Sequence, residues 1–161
     1  MEPIRKKLDF NLTCCFTGHR NIHYSEAEKI KKDLSDTIEQ VISSGITRFI
    51  CGGALGFDTL AAQAVIEKKK KYSLSLEIAV PCKNQDQRWN LKQKAEYKKI
   101  LESADKVTVL FDKYVTGCMH FRDAYMVDNS DVLISYYRGR PGGTQYTFMY
   151  AEARGLKIIN I

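Results

Sequence analysis

Short runs rich in β-branched and aromatic residues alternate with helical patterns along the chain, and this alternation restricts the fold more than any other feature. The strand-like runs are Leu12–Phe16, Ile46–Cys51, Leu74–Val80, Lys106–Leu110, Asp131–Ser135 and Lys157–Ile161. Repeated strand–helix–strand units place parallel strands in one sheet, joined by right-handed crossovers. The pattern therefore predicts an α/β fold, a doubly wound, mainly parallel sheet of Rossmann-like type with helices on both faces.

The helical patterns begin and end at recognisable signals. The first starts at Ser25, where Glu28 completes a capping box, and it stops at Gly45. The others cover Thr59 to about Lys70, about Asp86 to Ser103, Met119–Asp128 and Thr144–Arg154. Because no linker, repeat or low-complexity stretch interrupts the 161 residues, we predict a single domain over residues 1–161 with its core at about 12–161.

Charge and cysteine content exclude several classes of protein. With 25 Lys and Arg against 19 Asp and Glu, the formal charge is +6, which favours anionic partners such as nucleotides or nucleic acid. The run Lys68–Lys71 is typical of a solvated last helical turn, the alternative being a nucleic-acid patch. The five cysteines lack the spacing of a metal site, so we predict reduced thiols and no bound metal.

The sequence shows no targeting signal and no membrane span. Met1–Asp9 mixes charges and has no apolar core, and no apolar run approaches the ~20 residues that a transmembrane helix needs. We therefore expect a cytoplasmic protein with no membrane partner. An exposed sheet edge beside apolar helices would also allow a homo-oligomer.

Two glycine-rich turns follow predicted strands and lead directly into helices. The first is Gly52–Asp58, and the second is Arg138–Thr144. Glycine lets the backbone approach a ligand closely, and the helix N-terminus beyond it offers unpaired N–H groups and partial positive charge. In a parallel sheet, ligands bind beyond the carboxyl ends of the strands. The two turns together therefore predict an anion site that fits phosphate.

Neither turn is a standard nucleotide motif. No Gly-Lys pair occurs in the chain, which excludes a P-loop, and Cys51 stands where the dinucleotide fingerprint requires its first glycine. A conventional hydride-transfer enzyme is therefore disfavoured, and no cofactor is predicted other than a bound nucleotide or nucleotide derivative.

Four motifs occur in a specific order: T-G-H-R at 17–20, C-G-G-A-L-G-F-D at 51–58, G-C-M-x-x-R-D-x-Y-M-V-D-x-S-D at 117–131 and G-G-T at 142–144. In this order the chain resembles the YpsA-like group of the SLOG superfamily, whose better-known branches are the DprA DNA-processing proteins and the LOG phosphoribohydrolases. The resemblance runs from about Leu12 to Ile161. It implies a Rossmann-like domain that holds a nucleotide-type ligand (an adenine nucleotide, NAD or ADP-ribose) between the glycine turns.

The resemblance and the loop positions together give a set of candidate ligand-binding residues spread over three loops and one helix. They are Gly18, His19, Arg20, Gly52, Gly53, Ala54, Gly56, Asp58, Arg122, Asp128, Gly142, Gly143 and Thr144.

Several of these residues also have a structural interpretation. The planar fork of Arg20 suits a phosphate, but it could form an ion pair instead. His19 could contact a ribose or base, or be a loop histidine with its own partner. Asp58 and Thr144 are natural N-caps of the helices that follow them. Trp89 could stack on a base or anchor its helix.

One position departs from the LOG pattern. LOG enzymes carry a catalytic glutamate three residues after the threonine of their P-G-G-x-G-T-x-x-E signature, and Thr147 occupies that position here. This argues against LOG-type cleavage of an N-glycosidic bond unless Asp123, Asp128 or Glu152 supplies the carboxylate. Arg122 either projects toward the ligand or pairs with Asp128.

Three functions are therefore open. The leading hypothesis is binding or sensing of a nucleotide or nucleotide derivative at the carboxyl ends of the strands. The second is a LOG-like nucleoside-monophosphate phosphoribohydrolase, so that any enzyme activity would be hydrolysis of an N-glycosidic bond. The third is DprA-like binding of single-stranded DNA, which the net charge favours and the scattered positions of the basic residues do not.

Overall fold

Every strand pair in the structure is parallel, so each strand is joined to the next by a crossover. The computed structural model describes residues 12–161. The strands are β1 (Leu12–Gly18), β2 (Ile46–Cys51), β3 (Ser75–Cys82), β4 (Lys106–Phe111), β5 (Val132–Tyr136) and β6 (Lys157–Asn160). The helices are α1 (Tyr24–Ser43), α2 (Phe57–Lys68), α3 (Leu91–Ser103), α4 (Cys118–Asp128) and α5 (Gly143–Ala153).

The order of the strands places a crevice beside β1. The sheet runs β4-β3-β2-β1-β5-β6, so the chain builds outward from β1 to β4 and then adds β5 and β6 on the other side. The order therefore reverses between β1 and β5, which are paired to their carboxyl ends with Gly18 opposite Tyr136. Loops that leave two such strands diverge and open a crevice. The predicted α/β fold is confirmed.

Helices cover both faces of the sheet. Helices α1, α2 and α3 pack on one face around buried side chains such as Phe16, Phe49 and Leu34. Helices α4 and α5 cover the other face, where Leu133 and Met126 belong to a smaller apolar cluster. Strands buried on both faces need nearly continuous apolar runs, which is why the buried strands β1, β3 and β5 were recognisable in the sequence.

The predicted capping box at Ser25 and the predicted start near Asp86 are both wrong. Helix α1 begins at Tyr24, and its N-cap is His23, whose ring nitrogen accepts a hydrogen bond from the backbone of Ser25. Helix α3 begins at Leu91, later than the predicted start near Asp86, because Asn90 and Gln93 form a capping box there. Local capping chemistry thus decides both starts.

The lysine run at 68–71 lies at the end of α2 and just beyond it, and every lysine in it is paired with a carboxylate. The pairs are Lys68 with Glu39 at 2.8 Å, Lys69 with Asp105 at 2.7 Å, Lys70 with Glu67 at 2.9 Å and Lys71 with Glu39 at 3.7 Å. Two of these carboxylates belong to α1 and to the segment before β4, so the run ties neighbouring elements together. Ion pairing of this kind reduces its attraction for a nucleic acid backbone.

The remaining composition-based expectations concern thiols, metals and membranes. All five cysteines are buried and free. Within residues 12–161 no group of three or more His, Cys, Asp and Glu side chains is arranged to hold a metal ion. No helix in that range is long and apolar enough to cross a membrane. The interpretation of Met1–Asp9 as lacking a signal peptide lies outside the described residues.

Candidate functional site

A cleft of about 350 Å³ lies at the crevice between β1 and β5. Its walls come from the loops after β1, β2 and β5 and from the first turns of α4. The candidate residues that line it are Gly18, His19, Arg20, Ala54, Asp58, Arg122, Gly142, Gly143 and Thr144. The fold thus brings parts of both glycine-rich turns to one opening.

The turn between β5 and α5 presents bare backbone to the cleft. Gly142 is the N-cap of α5, with a φ of 135° that favours glycine, and no side chain caps the helix. Thr144 lies within the first turn, so its prediction as the N-cap is wrong. A Cβ atom at Gly143 would meet only Oδ2 of Asp123, at 3.9 Å. Unpaired N–H groups and partial positive charge therefore face an open space.

The glycines after β2 lie beneath the cleft and do not line it. A Cβ atom at Gly52 would lie 2.7 Å from Nη1 of Arg122, and one at Gly56 would overlap the carbonyl group of Arg20. Gly53 has a φ of 67°, which favours glycine. These glycines let the loop pack closely against α4 and against the loop after β1. These glycines therefore shape the cleft wall.

The carboxylate of Asp58 lines the cleft although it is only 7% exposed. Its Oδ2 accepts a hydrogen bond from the backbone N–H of Ala54 at 3.2 Å. The N-cap of α2 is Gly56, so the predicted capping role of Asp58 is wrong. Burial raises the pKa of Asp58 to about 6, although the charge of Arg122 opposes the shift. The cleft therefore contains a carboxyl group that titrates close to neutral pH.

Arg122 connects α4 to the loop after β2 and to strand β3, and it is 4% exposed. Its Nη1 donates hydrogen bonds to the carbonyl oxygens of Gly52 at 2.6 Å and Ala79 at 3.3 Å. Its Nε donates to Oδ1 of Asp123 at 2.8 Å. Burial alone would lower the pKa of Arg122, but the carboxylates of Asp123 and Asp58 raise it. The guanidinium is therefore a permanent buried charge that fixes the shape of the site.

The fold separates the carboxylates considered as substitutes for the LOG glutamate. Asp123 lines the cleft. Asp128 lies at the far end of α4, outside the cleft, and pairs with Arg154 at 3.3 Å. The alternative in which Arg122 pairs with Asp128 is therefore wrong. Glu152 is exposed near the end of α5, also outside the cleft.

Three arginines gather near the mouth of the cleft. Arg20 lines the mouth and is exposed, and Arg138 lies with its guanidinium 4.3 Å from the centre of the Tyr136 ring. Arg140 and Arg138 lower the pKa of His19, together with the larger effect of burial. None of the three arginines forms an ion pair within 4 Å among residues 12–161, so the ion pair considered for Arg20 is not formed, although the charge of Arg20 lowers the pKa of Asp58. The mouth therefore offers positive charge to a ligand.

A stacked pair of rings beside the cleft was missed by the sequence analysis. His120 lines the cleft, and its ring stacks on Tyr146 with centroids 4.1 Å apart and planes 11° apart. The sequence indicated this pair only by placing His120 at the start of a predicted helix. The weak apolar periodicity of α4 does not show which side of the helix faces the cleft. Trp89 instead packs edge-on against Tyr97, with centroids 5.1 Å apart, as a helix anchor would.

These features define a Rossmann-like α/β protein whose cleft opens where the strand order reverses. The family model YpsA, described as the YspA SLOG family, matches residues 14–157, and the chain belongs to this family.

Several proteins are similar to this chain in sequence or in fold. The SPbeta prophage-derived protein YoqJ of Bacillus subtilis is 38% identical over 138 residues, covering 77% of this chain and 81% of YoqJ. The UPF0398 protein BH1768 of Halalkalibacterium halodurans is 31% identical, covering 85% of this chain and 72% of that protein. DNA processing protein A of Helicobacter pylori has a similar fold, with a TM-score of 0.68 at 18% identity, over 95% of this chain and 66% of that one.

Proposed function

We propose that the protein binds a nucleotide or nucleotide-derived ligand in the cleft, with a phosphate group at the N-terminus of α5. The observation that carries this proposal is the uncapped first turn at Gly143 and Thr144, which opens into a cleft that Arg20 also lines. Backbone N–H groups, a helix dipole and an unpaired guanidinium then act on the same anion. The Thr144 hydroxyl adds a further donor at this position.

The other lining groups favour a sugar beside the phosphate. The carboxylates of Asp58 and Asp123 lie in the cleft, and Oδ2 of Asp123 faces the glycine turn. Two carboxylates repel a second anion, but they accept hydrogen bonds from hydroxyl groups. A sugar phosphate satisfies both sides of the cleft because its phosphate can face the α5 N-terminus while its hydroxyls face the carboxylates.

The ring pair favours an aromatic base as the third part of the ligand. Tyr146 covers one face of the His120 ring and holds it in a fixed plane at the wall of the cleft. A base that stacks on such a ring gains contact area without a sequence-specific hydrogen bond. Phosphate, sugar and base together make the ligand a nucleotide, or a larger molecule built on one.

Calorimetric titration with AMP, NAD and ADP-ribose tests the proposal. We expect saturable binding of at least one of them, and a loss of about tenfold or more in affinity for Arg20→Ala, because a hydrogen bond to a charged group contributes ~1.5–3 kcal/mol. Arg48→Ala is the matched control, since Arg48 is exposed on β2 outside the cleft. Equal losses in both variants, or no binding of any of the three compounds, would contradict the proposal.

Hydrolysis of a nucleotide N-glycosidic bond is a second candidate function, and the pKa of Asp58 is the observation that favours it. A carboxyl group with a pKa of about 6 can donate a proton at neutral pH. In this reaction water adds to the sugar carbon and releases one of its protons to the solvent, the bond to the base breaks, and the base leaves with the proton donated by Asp58. Chromatography of AMP incubated with the protein, with Asp58→Asn as control, tests it: no release of free adenine excludes the reaction for this substrate.

Binding of single-stranded DNA is a third candidate. DNA processing protein A of Helicobacter pylori, which has a similar fold, binds single-stranded DNA. In this chain Arg20, Arg138 and Arg140 would contact successive phosphates. The paired lysines at 68–71 make a longer basic track less favourable. DNA binding predicts a steep loss of affinity for an oligonucleotide with added salt. A mononucleotide that competes fully with the oligonucleotide would place both in the same cleft.

A further inference from the structure

His19 is hydrogen-bonded to both loops that flank its own. Its carbonyl oxygen accepts from the backbone N–H of Phe57, at the start of α2, at 3.2 Å. Its ring Nε2 accepts from the backbone N–H of Arg138, after β5, at 3.0 Å. One residue thus joins the loops after β1, β2 and β5, which form most of the cleft wall.

The hydrogen bond from the backbone N–H of Arg138 to His19 is the last backbone hydrogen bond before residues 139–141. Residues 139–141 take part in no hydrogen bond within the described part of the chain. Residues 139–143 are all exposed, so packing contributes little to holding this segment. The hydrogen bonds at the end of β5, where the chain leaves the sheet, therefore determine its path into α5.

Asn160 and His19 hold the backbone directly after β5 with hydrogen bonds. Asn160 binds the backbone of Tyr137 on both sides, accepting from its N–H at 2.9 Å and donating to its carbonyl oxygen at 3.1 Å. The ring of His19 accepts a hydrogen bond from the next backbone N–H, that of Arg138, and packs edge-on against Tyr136. Because Nε2 acts as an acceptor, the His19 ring is neutral with its proton on Nδ1.

We propose that His19 is a positioning residue that holds the β5–α5 turn in the conformation that binds ligand. The proposal rests on the proposed nucleotide site. The hydrogen bond from Arg138 fixes the start of the turn, so that the Gly143 amide faces the cleft beside Arg20. The Nε2 atom is then occupied by the protein's own backbone, and His19 acts on the ligand through the turn.

A matched pair of substitutions tests the role of the acceptor. His19→Gln keeps a side-chain oxygen near the position of Nε2, whereas His19→Leu has a similar size and no acceptor. In the ligand-free protein we expect faster amide hydrogen exchange in His19→Leu at Arg138 and at Tyr146, whose N–H donates to the carbonyl oxygen of Gly142 at 3.1 Å, with wild-type protection in His19→Gln. Exchange at Phe57 serves as an internal control, because its acceptor is the His19 backbone and should be unaffected.

Affinity for AMP or ADP-ribose supplies the second readout. We expect His19→Leu to bind about fivefold to tenfold more weakly than wild type, the effect of one hydrogen bond in ordering the turn, and His19→Gln to restore most of that loss. Equal exchange at Arg138 and Tyr146 in all three proteins overturns the proposal, as does a His19→Gln variant that binds no better than His19→Leu. If neither compound binds wild type, the proposed function fails while the exchange comparison still decides the role of His19.

Discussion

Nη1 of Arg122 lies 2.6 Å from the carbonyl oxygen of Gly52, and this hydrogen bond joins a helix on one face of the sheet to the loop that follows β2. The close approach requires a glycine, because a Cβ atom at this position would lie 2.7 Å from the same nitrogen. The Arg122 guanidinium also carries the ion pair with Asp123. Stability and cleft shape therefore depend on the same buried group.

Replacement of Arg122 by leucine should strongly destabilise the protein. Loss of one partner of a buried pair leaves the other charge, here Asp123, uncompensated, and such changes cost ~3–5 kcal/mol. Urea unfolding should show a clearly lower midpoint for Arg122→Leu. Arg154→Leu is the control, because that arginine forms an exposed pair with Asp128 and should change stability little. Similar midpoints for the two variants would show that the Arg122 network contributes little.

Gly143→Ala should separate binding from folding. The φ of Gly143 lies outside the left-handed region, and alanine is the better helix former, so stability should stay the same or rise by ~0.5 kcal/mol. The added methyl group would project into the cleft toward Asp123, where a bound phosphate must approach the backbone. We expect about tenfold weaker AMP binding by titration, and no change for the neighbouring Gln145→Ala. Unaltered affinity in Gly143→Ala would place the phosphate elsewhere.

The sequence predicted the sheet and its loops well because those signals are local. Apolar runs, alternation and glycine boundaries are all contained within about ten residues. The inner geometry of the site depends instead on distant partners. The acceptor role of the His19 ring depends on Arg138, 119 positions away. Likewise, Asp58 is a suitable N-cap on local grounds, but Gly56 takes that place because the chain turns there against the backbone of Arg20.

Asp58 should make stability depend on pH. Its folded-state pKa is about 6, above the ordinary value of 3.8 for an aspartate, so between these pH values the native state keeps a proton that the unfolded state loses. Stability should therefore fall as pH rises from about 4 to 6, and the loss is complete above that range. Two pKa units correspond to ~2–3 kcal/mol.

Asp58→Asn measures this contribution, since asparagine keeps an oxygen acceptor for the Ala54 N–H without a charge. We expect the variant to gain ~2 kcal/mol over wild type at pH 8 and almost nothing at pH 4, from urea unfolding at both values. A gain that is equal at the two pH values would show that the pKa of Asp58 is the same in the folded and unfolded states. A variant less stable at pH 8 would mean that Arg122 needs the charge.

His120→Ala should distinguish a nucleotide site from a sugar-phosphate site. The ring stacks on Tyr146 and faces the cleft, so its removal deletes the platform proposed for the base and leaves the groups proposed for phosphate and sugar in place. Stacking of a base on an aromatic ring contributes ~1–3 kcal/mol, so AMP affinity should fall about tenfold while ribose 5-phosphate affinity is unchanged. Phe121→Ala controls for general effects on α4, because Phe121 is 57% exposed and contacts Phe111 instead of the cleft. His120→Phe should restore AMP binding if stacking is the cause, whereas a loss that phenylalanine does not rescue would mean that the imidazole acts through a hydrogen bond.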